Sequence, residues 1–542
     1  MKTVSQVDRR AFLQAATLAG AAGSTLWLPR SAWSQALVKS NPFTLGIASG
    51  SPTQDGIVLW TRLAPAGFLG ASNLGQEPIT VRWEIAHDEG FTRMAQSGQA
   101  QALAQLGHAV HVEAQGLEAG RWYFYRFHVG DFTSMVGRTR TLPAQDAQAE
   151  RFRVAYASCQ RWEHGYYSAY RHMKADAPDL VLFLGDYIYE YPNAAQAVRK
   201  PNATSNGGWT LTLDDYRSRY ALHKSDPDLQ AMHAACPWAF TWDDHEVQND
   251  YAGATPGDSG PVAPDFAARR AAAYQAFYEH MPLRASALQK AIAGLGQTNA
   301  ELRIYGQLSL GALGKIYLLD PRQYKDAPVC TKDGALGASS VNSAQCPLWH
   351  DPERSFLGKA QEQWFSDSLA RNAGGNGWNI VAQSTRFGQR DLRSSGAGQS
   401  FSNDGWDGYS AARTRLTDAL QKNRTKNAVM LGGDVHQNWV GQIKADYAKP
   451  GSVNLGAEFC GTSITSRHNA SSSNGKVPDW LERNPHFQFA DVEKRGYGIA
   501  DFSASKLQVS LRTVSDVTSK DASVQTLAQF AVAAGKAVVE RI

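Results

Sequence analysis

Five consecutive apolar residues, Leu180-Val181-Leu182-Phe183-Leu184, stand between Asp179 and Gly185 with no polar residue among them. A strand with one wet face alternates apolar and polar side chains. An unbroken run this short therefore marks a strand covered on both faces, as in parallel sheets flanked by other layers. Phe152-Arg153-Val154-Ala155-Tyr156-Ala157 reads as a second strand, and further apolar strands end at Trp242, Leu319 and Leu431. Helix-like segments lie between them, at 165–174, Phe266–His280 and 358–370. This alternation predicts a layered α/β core over 150–542.

Residues 41–143 follow a different pattern. Gly56–Arg62, Ile79–Ile85, 109–112 and 123–129 are short runs with apolar residues mostly at alternate positions, separated by turn signals such as Asp55-Gly56 and Gly130-Asp131. Short strands at this spacing predict a small all-β sandwich of immunoglobulin or fibronectin type III shape. It contains no pattern that points to chemistry. The polar, Asn/Gly-rich stretch 193–209 reads as a surface loop, and the Ala/Val-rich 524–542 as a last helix or a strand plus tail.

The N-terminus reads as an address. Arg9-Arg10 precedes Phe12-Leu13, a weakly apolar stretch with glycines runs from Ala15 to Leu28, and Ser34-Gln35-Ala36 offers small residues for cleavage. Residues 1–36 resemble a Tat signal, whose export machinery carries proteins already folded. An ordinary Sec signal fits the paired arginines and weak hydrophobicity less well. The expected location is periplasmic or extracellular. No other run is long and apolar enough for a permanent membrane span. Three of the four net positive charges sit in this leader, from Lys2, Arg9, Arg10 and Arg30 against Asp8. The bulk charge thus gives no reason to expect nucleic-acid binding. Of the five cysteines, Cys330 and Cys346 flank a Gly/Ser/Ala-rich loop and are expected to pair. Export and an odd count leave at least one thiol free.

In open α/β sheets reactive groups gather beyond the carboxyl ends of strands. Four strand ends carry Ser158-Cys159-Gln160-Arg161, Gly185-Asp186-Tyr187-Ile188-Tyr189-Glu190, Asp243-Asp244-His245-Glu246 and Gly432-Gly433-Asp434-Val435-His436-Gln437-Asn438. Singly, each has an ordinary reading: a turn, a solvated cap, a core histidine, a buried structural thiol. Together they deliver thiol, carboxylate, phenol, imidazole and amide groups, the donors of a site with more than one metal ion. Asp186 and Tyr189 can place a carboxylate and a phenolate around one cation. Asp434 and His436 face the same way if their segment stays extended. A Gly-x-Ser-x-Gly elbow, a Walker loop, a Gly-x-Gly-x-x-Gly helix start and Cys-x-x-Cys are absent from the sequence. His245-Glu246 is followed by Asn249 where a zinc-protease helix needs histidine.

These segments, in this order and together with Arg270-Ala271-Ala272-Ala273-Tyr274-Gln275, Leu319-Asp320-Pro321-Arg322-Gln323-Tyr324 and Glu458-Phe459-Cys460-Gly461-Thr462-Ser463, resemble the PhoD alkaline phosphatase and phosphodiesterase family. The resemblance covers nearly all the chain from about residue 41. It implies an α/β/β/α layered metallophosphoesterase core and a site similar in logic to that of purple acid phosphatases. It also implies Fe3+ and Ca2+ as cofactors. Carried over, Cys159, Asp186, Tyr189 and His436 bind the iron, with Asp186 bridging. Asp244 and Asp434 face calcium, and Asn438 or Asn249 adds an oxygen. Thiolate, phenolate and imidazole suit iron, while carboxylate and amide oxygens suit calcium. Cys460 and Pro321 stand as modest departures outside this ligand set.

The implied activity is metal-dependent hydrolysis of phosphate monoesters, diesters or both at alkaline pH. His245 is expected to orient substrate, to protonate the leaving oxygen, or to support Asp244. Arg161 is expected to grip phosphate through its planar fork, with Arg322 and Tyr220 as further candidates. Two alternatives stand beside this reading: a phospholipase D-like diesterase acting on lipid headgroups, and a secreted binding protein with a silent metal site.

Overall fold

The computed structural model describes residues 38–65, 74–201, 208–288, 301–393, 399–449, 451–467 and 476–542. The leader assigned to 1–36 lies outside them. The fold is mixed α/β with several sheets, and it divides into two compact units.

The first unit takes the chain up to Thr141 together with Thr212–Trp238 and Ala267–Arg303. Its N-terminal part is all strand, as the alternation predicts. Gly56–Arg62 pairs antiparallel with Ile47–Gly50 and with Ala109–Gln115. Ile79–Ala86 pairs with Met94–Ala102 and Trp122–Val129. The alternate positions Ile57, Leu59, Val81, Ile85, Val112, Tyr125 and Phe127 meet in one buried core. The helix Leu213–Lys224 begins at a capping box: Thr212 accepts the Asp215 N–H, and the Asp215 carboxylate accepts the Thr212 N–H.

The second unit comprises Leu142–Leu211, Ala239–Phe266 and Ile304–Ile542. The unbroken apolar run forms the strand Leu180–Leu184, parallel to Phe152–Ala157, and Trp238–Thr241 follows it in the sheet order. On the other side Phe152–Ala157 pairs antiparallel with Arg495–Phe502, which continues into Lys506–Val514 and Val524–Ala533. The C-terminal stretch is therefore strand, not helix. A second sheet holds Gly314–Leu318, Trp378–Ala382, Ala428–Gly432 and Asn454–Cys460 as parallel neighbours. Leu180, Leu182, Val154 and Tyr156 share a core with Ile316, Ile380, Val429, Leu431 and Phe459, so the two sheets bury one face of each together. The opposite face of the second sheet packs Tyr317, Val381 and Met430 against Phe365, Leu369, Leu416 and Leu420 of the helices Lys359–Arg371 and Ser410–Lys422. This double burial is why those strands show no alternation.

Cys330 and Cys346 form the expected disulfide, with Cα atoms 5.9 Å apart. Cys159, Cys236 and Cys460 are free and buried.

Candidate metal centre

All four chemistry-bearing strand ends belong to the second unit, and the loops that follow them meet. A Cys159 sulfur, an Asp186 carboxylate oxygen and a His436 ring nitrogen lie within 4.8 Å of one another. Asp186, Asp244 and His245 form a second such triple, and Asp244, Asp250 and Asp404 a third. Asp186 is common to the first two and Asp244 to the last two, so the triples run as a chain. Tyr189 joins the first: its hydroxyl donates to Asp186 Oδ2 at 2.9 Å and lies 3.2 Å from His436 Nε2. Ser466 Oγ is 2.7 Å from the same hydroxyl and 2.8 Å from the Cys159 carbonyl.

The backbone reaches this arrangement by unusual conformations. Cys159, Asp186, Asp434 and His436 all have positive φ, at 60, 58, 65 and 54°. For residues with a Cβ this costs on the order of 1–3 kcal/mol each and persists only where surroundings enforce it. Here the loops hold each other. Cys159 N–H donates to Gly185 O and Gln160 N–H to Asp186 O, both at 3.0 Å, and Gly433 N–H donates to Ser384 O at 2.7 Å. Gly185 is required, because a Cβ there would lie 2.6 Å from Asp243 Cβ with φ already at +98°. Gly433 is required on steric grounds, a Cβ falling 2.3 Å from Ser158 Oγ. The condition under which Asp434 and His436 would face the same way, an extended segment, is not met. Both residues turn left-handed, so His436 joins Cys159 and Asp186 while Asp434 Oδ2 accepts from Thr385 Oγ1 at 2.7 Å.

Glu246 has a role that its place in the sequence does not announce. Its Oε2 accepts the N–H groups of Asp186 (3.1 Å) and Asp243 (2.9 Å), and its Oε1 accepts that of Tyr187 (2.5 Å). One buried carboxylate thereby fastens two strand ends about 60 residues apart in sequence. Glu190 plays a similar part. Its Oε2 lies 2.8 Å from His245 Nδ1, and its Oε1 accepts the Asn249 N–H. His245 is thus oriented by its Nδ1, and its ring sits 4.2 Å from that of Tyr189.

Electrostatics show what the site lacks as protein alone. Burial, then the charges of Asp244, Asp243 and Glu246 outweighing that of His245, pushes Asp186 well above the carboxylate range. Burial and Asp186 push up the Cys159 thiol, and burial with Asp186 and Cys159 pushes up Tyr189. Asp434 is raised to about 6 by burial and Asp404, and Asp250 to about 7 by burial, Asp404 and Asp244. Two acids of these triples stay low: Asp244, where Arg322 and His245 overcome the effect of burial, and Asp404, where Arg322 and Lys325 do. Asp186 Oδ1 is buried with no hydrogen-bond partner among the described residues. So many donors held from ionisation, with one oxygen left idle, fit a bound cation, which reverses this balance.

The other sequence candidates divide. Arg161 lies over the ring of Tyr189, 5.8 Å from its centroid, and 5.0 Å from that of Tyr191. Asn438 opens the strand Asn438–Lys444, and its Oδ1 accepts the Thr462 N–H at 3.2 Å. Asn249 Oδ1 accepts from the Tyr191 hydroxyl at 2.8 Å. Arg322 is fully buried: it donates to Asp243 and takes Asp404 bidentately at 2.6 Å twice, so its fork is spent on protein carboxylates and not open to phosphate. Tyr220 belongs to the first unit and stacks on His280. Asp250 and Asp404 escaped the sequence reading because neither follows a recognisable strand.

Residues 154–511 match the family of PhoD-like phosphatases, and residues 30–143 match the N-terminal domain of PhoD-like phosphatases. The chain belongs to the PhoD-like phosphatase family. It is 42% identical over 492 residues to alkaline phosphatase D of Bacillus subtilis (strain 168), covering 91% of this chain and 81% of that protein. It also superposes on a solved structure of PhoD with a TM-score of 0.84 at 40% identity, covering 93% of each chain. Every residue of the three donor triples falls inside the PhoD-like phosphatase match.

Proposed function

We propose that the chain is a metal-dependent alkaline phosphatase or phosphodiesterase, and that Cys159, Asp186, Tyr189 and His436 hold Fe3+ while Asp244 and Asp434, with an amide oxygen from Asn438, hold Ca2+. The convergence of a thiol, a phenol, an imidazole and carboxylates from four strand ends carries this reading. Bound there, the ions supply Lewis acidity toward the phosphoryl oxygens and a nucleophile of lowered pKa. The chain's own residues supply the rest. Asp186 is shared between neighbouring donor triples and would hold both ions together if they were bound. Arg161 offers its fork to a phosphoryl oxygen beside Tyr189. His245, fixed at Nδ1 by Glu190, has Nε2 left to steady or protonate the leaving oxygen. Glu246 keeps Asp186 and Asp243 in register.

The reading extends to organisation and address. We take 1–36 as a Tat-type leader, 41–143 as an immunoglobulin-like sandwich and 150–542 as an α/β/β/α catalytic core, with a periplasmic or extracellular product. No helix among the described residues is long and apolar enough to cross a membrane. The test is turnover of p-nitrophenyl phosphate, its bis ester and phosphatidylcholine by the metal-loaded protein, with and without excess chelator. Chelator-sensitive release of nitrophenol from either ester is expected. Hydrolysis of phosphatidylcholine alone favours the lipid alternative, and hydrolysis of none of the three, with metals bound, refutes the assignment.

A further inference from the structure

A cavity of about 390 Å3 opens beside the metal centre. Asp434 and Asp250 are among the residues that line it. Ser339 and Ser340, from the segment closed by the Cys330–Cys346 disulfide, form one wall, and Arg386 and Arg390 line it as well. The wall is tied to the centre, since Ala338 N–H donates to Asp250 Oδ2 at 3.2 Å. Such a volume is in the range that takes a whole small-molecule ligand, far more than a phosphoryl group alone. Serine, threonine and charged side chains dominate the lining, with few apolar groups.

The cations around this cavity are matched except at one place. Asp404 is neutralised by Arg322 and by Lys325 at 2.7 Å. Asp407 is bound by Arg386 at 2.6 Å and by Arg413 at 2.5 Å. Asp250 belongs to a donor triple, and Asp434 Oδ2 accepts from Thr385 Oγ1. Arg390 has no carboxylate partner for its guanidinium among the described residues. Nη1 donates to the Gln437 side-chain oxygen at 2.9 Å, the group lies over Trp439 and Trp480 at 5.2 and 5.5 Å, and buried Nε meets no acceptor. Burial and the neighbouring Arg386 cation pull its pKa to about 9, with Asp407 and Asp434 pulling the other way. A cation held in place by two indoles and an amide, and left with idle donor capacity, is arranged to receive an anion.

We infer that this cavity is the leaving-group subsite and that Arg390 selects esters whose leaving alcohol carries a second anionic group. The inference rests on the phosphoesterase reading and deepens it. Water replaces the alcohol on phosphorus, and the departing alcohol keeps its anionic substituent against Arg390. A phosphate and a carboxylate share the required chemistry, and the fork of Arg390 can take either.

The metal-loaded enzyme is compared on propyl phosphate, 1,3-propanediol bisphosphate and 3-hydroxypropanoic acid O-phosphate. Wild type is expected to show kcat/KM about tenfold higher for at least one charged ester than for propyl phosphate, a difference of about 1.4 kcal/mol. Which charged ester leads tells phosphate from carboxylate. In Arg390→Gln the ratio is expected to fall towards one, and Arg390→Lys to retain part of it. Because the readout is a ratio, a general loss of activity cancels. As a readout independent of turnover, calorimetry on wild type is expected to show propane-1,3-diyl bisphosphonate binding about tenfold more tightly than propylphosphonate. Turnover of all three esters with a wild-type ratio near or below one overturns the inference and leaves the phosphoesterase reading intact. An unchanged ratio in Arg390→Gln also overturns the role of Arg390. Turnover of none of the three by protein that still hydrolyses bis(p-nitrophenyl) phosphate overturns the inference alone, and loss of that activity as well sinks both readings.

Discussion

Replacing Glu246 by alanine removes the acceptor that joins two strand ends, and its cost follows from the three N–H groups that it serves. The donors of Asp186, Tyr187 and Asp243 lie at 3.1, 2.5 and 2.9 Å in a buried setting. An orphaned buried donor costs about 1–3 kcal/mol, so allowing for relaxation and relief of repulsion with Asp243, Glu246→Ala should lose about 3–5 kcal/mol. Glu246→Gln is the sharper probe. Its amide oxygen, set where Oε2 was, still serves Asp186 and Asp243, while its NH2 faces the Tyr187 N–H. One donor is then unsatisfied, at about 2–3 kcal/mol. Urea unfolding in chelator, followed by tryptophan fluorescence, measures both variants. Metal content is expected to fall in the same order, because the loop carrying Asp186 loses its fastening. Removal of the exposed Lys359–Glu353 pair is the control and should leave the unfolding midpoint in place. If Glu246→Ala unfolds within about 0.5 kcal/mol of wild type, a threshold well below one lost buried donor, the stapling argument is wrong.

Arg322→Met leaves buried Asp243 without its partner and Asp404 with Lys325 alone, and should destabilise the metal-free protein by about 3–5 kcal/mol. Equal thermal unfolding of variant and wild type in chelator would contradict this. Away from the site, burial holds His111 at about 4 against an ordinary 6.5, while its Nε2 lies 3.0 and 2.9 Å from the Tyr278 and Met281 carbonyls. The unfolded chain takes up that proton first. The stability due to neutral His111 is therefore full above about pH 6.5, is lost as pH falls to about 4, and falls no further below. The loss is about 3 kcal/mol. His111→Gln should flatten this part of the stability–pH curve, and parallel curves would refute the assignment.

The sequence showed most clearly what repeats along a few neighbouring residues. The five-residue run at Leu180–Leu184 reported a strand buried on both faces, and it lies between sheets that share a core. The alternation at Gly56–Arg62 and Ile79–Ala86 likewise marked strands. The Ala/Val-rich C-terminus was ambiguous because small apolar residues suit helix and strand alike. Its strand character is decided by pairing Val524–Ala533 to Lys506–Val514. At the centre, residues just beyond strands were legible and their partners were not. Glu246 acts on backbone groups, which leave no mark in sequence. Asp404 sits in a loop, and its role depends on Arg322 and Lys325, some 80 residues earlier. The left-handed turns at Asp434 and His436 were hidden too, since neither residue type announces a positive φ as glycine does.

The most direct test of a shared metal centre built by four strand ends is elemental analysis of the purified metal-loaded protein beside Cys159→Ala, His436→Ala and Asp244→Asn. Iron at about one per chain is expected in wild type, lost with either of the first two variants, and calcium lost with the third. Wild-type protein that is folded and active without iron or calcium, or a metal content indifferent to Cys159 and His436, would contradict the proposed centre.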